Sequence, residues 1–351
     1  MSARSTTLIT GGGGFIGTNL ADRIASEGGR VIVLDSGARA GAEENLRWLC
    51  ARHGSSIDVE LADVRERPVL ARCVAAADRV FHFAAQVAVT TGLEEPMEDA
   101  EVNVLGTLYL LEEIRRRPTP PRLLFTSTNK VYGDLADVEL QERGARYEPR
   151  EHAIRHSGVD ERRPLDFCTP YGCSKGAADQ YVLDYAHSYG VASVVFRMSC
   201  IYGPHQHGNE DQGWVAHFLI RALQREPITV FGDGKQVRDV LFVEDLVDAF
   251  LRAEHDAPGL AGRAFNIGGG PPNCLSLREL VGLIADLDGE RPSVGFGPWR
   301  TGDQRYYVSD PSAFAAATGW RPRTSPQQGV RRLWQWLAQE RLGSSEATAV
   351  A

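Results

Sequence analysis

The run TLITGGGGFIGTNLADRIASEGGRVIVLD, residues 7–35, constrains this chain more than any other stretch. An apolar strand runs into glycines at 11, 14 and 17 and then into a helix, and the next strand ends on Asp35. Gly11 permits a tight turn, Gly14 lets backbone N–H groups approach a pyrophosphate, and Gly17 lets helix and strand pack closely, while the helix N-terminus favours negative charge. Phe15 and Ile16 open that helix. Asp35 is placed to accept hydrogen bonds from an adenosine ribose, with Ser36 beside it. The pattern predicts a dinucleotide site. A carboxylate at the ribose repels a 2′-phosphate, so NAD is preferred to NADP, and Arg39 softens that preference.

Further apolar runs follow: RVFHFAA (79–85), RLLFTST (122–128) and VASVVFRMS (191–199). They lack period-2 alternation and are separated by helix-length segments, which reads as buried parallel strands in βαβ units. The expected fold class is α/β, a modified Rossmann fold with a doubly wound parallel sheet and a smaller C-terminal α/β domain. Residues 1–200 are assigned to the first domain, with 236–268 returning to it. Residues 201–235 and 269–342 are assigned to the second, with helices over about 213–226 and 327–341, and 343–351 to a disordered tail. The charged segment Asp137 to Asp166 is longer than a passive connection needs and reads either as a lid or as a solvated insertion.

Composition excludes several classes. With 38 Lys and Arg against 46 Asp and Glu, and arginines dispersed apart from Arg115 to Arg117, no nucleic-acid footprint is expected. Six cysteines without a CxxC pair point to reduced thiols in the cytoplasm. Neither a secretory leader nor an apolar run of about 18 residues is visible, so no membrane segment is expected.

In TPYGCSKGAADQY, Tyr171 and Lys175 stand four apart on a helix opened by Thr169 and Pro170, so both project from one face. A phenol titrates near about 10, but an ammonium and an oxidised nicotinamide beside it stabilise the phenolate as a general base. After a dinucleotide loop, this pair points to hydride-transfer chemistry.

TGGGGFIG, the strand-end Asp35, FTST before VYGD, YGCSK and FGDGKQVRDVLFVEDL together resemble the extended short-chain dehydrogenase/reductase family that modifies nucleotide-diphosphate sugars. The match spans about 5–340, and TSTNKVYGDL, YGCSKGAADQYVLDYA, DQGWV and GDQRYYVSD look most like its CDP-paratose 2-epimerase branch. The resemblance implies tightly held NAD, Tyr171 as base, Lys175 on the nicotinamide ribose and Thr128 bonded to the reacting sugar hydroxyl. It also implies cofactor contacts from Asp63, Val64, Phe83, Ala84, Ala85 and Asn103, for some of which loop and packing roles compete. Dehydratases of the family follow the Thr with an Asp-Glu pair; here Asn129 and Lys130 stand there, which leaves oxidation and re-reduction at one carbon. Those two residues read either as sugar contacts or as structural ones.

Substrate contacts are expected from Gln86, Thr90, Gln212 in the loop 205–214, and Arg238. Arg300 and Arg305 compete for a second diphosphate position. Where many members of the family carry Asn after Ser199, this chain has Cys200, which puts diphosphate contacts there in doubt. His205 and His207 with Glu210 and Asp211 make too sparse a set for a metal, so none is expected. The expected reaction is C2 epimerisation of a CDP-linked hexose through a transient keto-sugar. The alternatives are a 4-epimerase of a UDP- or dTDP-sugar and a non-catalytic NAD or sugar-nucleotide sensor. The helices 99–117 and 171–189 suggest a homodimer or homotetramer, though their apolar faces could equally be intrachain core.

Overall fold

The computed structural model describes residues 5–349, with side chains for all of these except 257, 258 and 341–349. In chain order the strands are β1 Thr6–Thr10, β2 Arg30–Asp35, β3 Ile57–Leu61, β4 Arg79–His82, β5 Arg122–Thr128, β6 Leu140–Arg143, β7 Arg146–Pro149, β8 Ser193–Met198, β9 Cys200–Tyr202, β10 Ile228–Phe231, β11 Val237–Phe242, β12 Arg263–Ile267, β13 Cys274–Ser276, β14 Val294–Gly297 and β15 Tyr306–Tyr307.

Seven of them form one parallel sheet in the order β3-β2-β1-β4-β5-β8-β12. Successive residues of a strand point to opposite faces, and here both faces are covered. Leu8, Ile32, Val80 and Phe125 join one apolar cluster, while Ile9, Val33, Phe81 and Leu124 join the other. That double burial is why the runs show no polar alternation. The strand order reverses between β1 and β4, and a crevice opens there at the carboxyl ends of the strands, where doubly wound sheets bind ligands.

The second layer of structure is smaller. Strand β11 pairs with β9 and β15 in parallel and with β13 antiparallel, and β10 pairs with β14. Its core joins Phe218, Leu219, Val240, Leu280, Ile284, Val330 and Leu333. Within 236–268, assigned to the first domain, β11 pairs with short strands, while Leu241 and the helix Val243–His255 pack into one apolar cluster of the large sheet. Strand β11 is buried at every position and finds its partners among the short strands. The helix Leu277–Asp288 begins with a reciprocal cap between Ser276 and Glu279. The last helix, Pro326–Ala349, runs on through residues the sequence assigns to a tail.

Residues 137–166 are neither a lid nor a loose insertion. They form the β6–β7 hairpin and the helix His152–Ser157. Val159 N–H donates to Val308 at 2.8 Å, Arg146 pairs with Glu279, and Val138 and Val159 join Tyr132 and Tyr307 in an apolar cluster. The segment buttresses the small domain from outside the cavity.

Candidate active site

A cavity of about 450 Å³ lies between the large sheet and the small domain. Its floor is the glycine loop. Gly11 has φ +69°, and a Cβ there would stand 2.6 Å from Ala84 N; one at Gly17 would stand 2.5 Å from Gly11 O. Only hydrogen fits at either place. Gly14 caps the helix Phe15–Ser26 with no side-chain partner for its first N–H groups, leaving them for an anion. Asp35 accepts from Gly13 N at 2.9 Å and Gly37 N at 2.8 Å, so its carboxylate is fixed at the end of β2. In the cavity wall, Ser127 Oγ and Thr90 Oγ1 are buried without partners. A cradle with no room for a Cβ, open helix N–H groups and orphaned hydroxyls fits a dinucleotide with a sugar beside it.

Gly11, Gly14, Phe15, Ile16, Gly17, Arg39, Phe83 and Ala85 line the cavity as expected. Several expected cofactor contacts do not. Asp63 is taken up by Arg65, at 2.8 Å and 2.9 Å, and Val64 packs under Gly106 in the core. Ala84 offers its N–H to Thr10 Oγ1, and neither Asp35 nor Ser36 is part of the wall. Asn103 is 1 % exposed and bonds to Gln86 and Ser174, so it acts as framework.

The wall with the expected catalytic residues comes from the end of β5 and the helix Thr169–Tyr189, which together bring Thr128, Tyr171 and Lys175 to the cavity. Burial pushes the Tyr171 phenol up to about 12, against a hydrogen bond from Thr128 that draws it down; Asp99 acts upward and Arg39 downward. Burial pulls the Lys175 ammonium down to about 7, with Asp179 and Asp99 opposing. Its Nζ lies 4.2 Å from the centre of the Phe125 ring. The helix is anchored behind the site by a buried bidentate pair, Asp179 with Arg197 on β8 at 2.9 and 3.0 Å. At its entry Thr169 has φ +69°, a conformation costing a β-branched residue on the order of 1–3 kcal/mol.

Beneath Thr10 runs a chain of hydrogen bonds in one direction. Thr107 donates to Asn103 O at 2.6 Å, so it accepts from His82 Nε2 at 3.0 Å, which leaves His82 Nδ1 to accept from Thr10 at 2.6 Å. Burial holds His82 neutral, down at about 3, with Lys175 adding to the shift.

The residues after Thr128 take different places. Asn129 donates to Gln304 Oε1 at 3.2 Å and Lys130 Nζ donates to Gly302 O at 2.8 Å, while both still face the cavity. Burial, and then Arg238, bring Lys130 down to about 8. On the substrate side, Thr90, Gln212, Arg238 and Arg300 line the cavity, and Cys200 lies among them. Arg238 donates to Val237 O and Gln304 O, which fixes its plane. Arg300 lies 3.6 Å above Phe231 and pairs with Asp211 at 3.5 Å. Arg305 is turned away onto Tyr147 and Trp299, and the Gln86 amide is turned to Asp99 and Ala88 instead of the cavity.

Sequence reasoning missed Ser127, Asn45, Gln236 and the stretch Thr301 to Asp303, all in the wall. Ser127 had a signal, since it lies beside Thr128 on a strand end; the others come from separate segments. Among the described residues no group of His, Cys, Asp and Glu is arranged to hold a metal, and no helix is long and apolar enough to cross a membrane.

A model of the NAD dependent epimerase/dehydratase family matches residues 7–268. CDP-paratose 2-epimerase of Salmonella typhi is 42% identical over 338 residues, covering 94% of this chain and 98% of that protein. UDP-glucose 4-epimerase of Mycolicibacterium smegmatis is 32% identical over 327 residues, covering 93% and 96%. The crystal structure of the Thermus thermophilus UDP-glucose 4-epimerase in complex with NAD shares 31% identity and a TM-score of 0.78, covering 95% of this chain and 99% of that one. The chain belongs to the NAD dependent epimerase/dehydratase family, and its cofactor is NAD.

Proposed function

We propose that this enzyme epimerises a nucleotide-diphosphate sugar at C2, its substrate being a CDP-linked hexose of the paratose and tyvelose type. The observation that carries the reading is the wall of Thr128, Tyr171 and Lys175 with Asn129 pinned to Gln304 beside it, where an elimination would need an acid. The 42% identity to a CDP-paratose 2-epimerase, against 32% to a UDP-glucose 4-epimerase, favours C2 and cytidine.

The glycine loop and Asp35 hold the dinucleotide. Bound NAD supplies a reversible acceptor for the hydrogen of the sugar carbon. Burial alone keeps Tyr171 a phenol, so the Lys175 ammonium and the positive charge of oxidised NAD would have to stabilise the phenolate; Tyr171 then takes the proton of the C2 hydroxyl, and Thr128 hydrogen-bonds that oxygen. Arg238 and Arg300 hold the diphosphate while the sugar, now planar at the C2 carbonyl, turns to offer its other face. Tyr171 then returns the proton to the oxygen of the inverted centre. Six free cysteines suit a reducing compartment, and we place the enzyme in the cytoplasm. Leu105, Tyr181 and Tyr189 on the helical segments 99–117 and 171–189, with Leu93 and Met97 on the short helices before the first, are exposed, which supports a homodimer formed there.

The test is thermal stabilisation by matched CDP, UDP, GDP and dTDP, followed by NMR of a CDP-hexose for inversion at C2. CDP giving the largest shift, with C2 inversion, is the expected result. A larger shift from UDP or dTDP, with inversion at C4, would overturn it.

A further inference from the structure

The Asp99 side chain is fully buried next to the catalytic helix, and no step above uses it. It stands in the short helix Pro96–Ala100, and the wide π turn Glu101–Leu105 that follows brings Asn103 round to the same cluster. The Ser174 hydroxyl donates to one carboxylate oxygen, and the Gln86 amide donates to the other at 3.0 Å. Asn103 closes the cluster by donating to Ser174 Oγ at 2.9 Å and to Gln86 O at 3.0 Å. Ser174 is the residue before Lys175, and its hydroxyl also lies 3.2 Å from Tyr171 O. Gly92 leaves room between Asp99 and the first turn of the catalytic helix, where a Cβ would be 3.0 Å from Asp99 Oδ1 and 3.4 Å from Tyr171 N, and the Ser174 hydrogen bond holds the carboxylate to the helix. Peptide dipoles there favour a negative charge.

The groups around Lys175 come from four elements. Tyr171 and Asp179 share its helix, Phe125 comes from β5, His82 from β4 and Asp99 from the helix Pro96–Ala100. His82 is neutral, and Asp179 is committed through both oxygens to Arg197. Asp99 has only neutral donors; burial raises its carboxyl, and the Ser174 and Asn103 hydrogen bonds and the Lys175 charge act to keep it ionised.

We propose that Asp99 is a positioning residue: its carboxylate keeps Lys175 charged beside Tyr171 and, through Ser174, fixes the turn that carries both. This rests on the reading of Tyr171 and Lys175 as the catalytic pair. Asp99 does not line the cavity, so its effect belongs in turnover and not in substrate binding. In direction, Asp99 and Asp179 both act to raise Lys175 against the burial that lowers it.

The chain has three lysines, at 130, 175 and 235, so labelling with [13C]lysine gives three ε-carbon signals, and Lys175→Met identifies the one that matters. In Asp99→Asn the Lys175 midpoint is expected to fall by about one pH unit, as for loss of a near opposite charge. With the preferred sugar nucleotide, kcat is expected to drop roughly tenfold at unchanged KM. An unmoved Lys175 midpoint would overturn the proposal, as would a rise in KM with kcat intact. Should Asp99→Asn not fold, the reciprocal measurement decides. Pairwise coupling acts equally on both partners, so in Lys175→Met the Asp99 13Cγ resonance must titrate about as much higher, and an unchanged Asp99 midpoint would sink the idea. A shifted Lys175 midpoint in a protein that turns over no nucleotide sugar would uphold the role of Asp99 and overturn the proposed reaction instead.

Discussion

The two walls of the cavity are held in different ways. The catalytic wall is buried and locked: Tyr171 and Lys175 sit on one helix, clamped from behind by the Asp179–Arg197 pair and from the side by Asp99. The substrate wall is partly open. Arg300 is held by Asp211 and Glu210, whose side chains are 46% and 51% exposed. Ion pairs that water reaches are weak, so a diphosphate can displace them, whereas a buried bidentate pair does not let go. The difference suits a reaction in which the base stays fixed and the sugar has to turn.

The contrast breaks first at Tyr171. Tyr171→Phe is expected to lower kcat about a thousandfold while NAD is still recovered on denaturation. Near-full activity in that variant would remove the catalytic wall from the mechanism.

His82 tests the locked wall through stability. Its folded value of about 3 lies below the ordinary 6.5. The unfolded chain therefore takes up a proton that the native state refuses. Stability from this group is whole above about pH 6.5 and is lost as pH falls toward 3. His82→Asn is expected to flatten that part of the profile, measured as urea midpoints from pH 7 to 4. An unchanged slope would mean the imidazole is not held neutral.

The open wall gives smaller effects. Arg300→Ala is expected to raise KM about tenfold and to leave kcat within about twofold, the signature of lost uniform binding. A fall in kcat with KM unchanged would move Arg300 into the chemistry. Arg305→Ala, whose guanidinium stacks on Tyr147 and Trp299, is expected to leave KM within about twofold. A tenfold rise there would restore it as the second diphosphate contact.

Much of the large sheet was legible because each buried strand is a continuous apolar run and each loop that binds phosphate must spend glycines. Gly11 and Gly17 illustrate this: backbone atoms within 2.6 Å of where a Cβ would stand leave the sequence no other choice. Thr128, Tyr171 and Lys175 were legible because strand end and helix turn are local geometry. Gln86, Asn103 and Asp63 were legible as positions but not as roles. Whether a side chain faces a ligand or a neighbour depends on which distant segment packs against it, and here those segments bring Asp99, Ser174 and Arg65.

The sequence by itself determined the buried parallel strands, the strand–glycine loop–helix unit and the Tyr171–Lys175 spacing, since each is written in a local pattern of residue types. Only the tertiary structure decided that β11 joins the small sheet, that residues 137–166 buttress it, that Arg300 and not Arg305 reaches the cavity, and that Asp99 lies against the catalytic helix. These depend on packing between segments far apart in the chain, where the free energy lies in burial and pairing that no local pattern encodes.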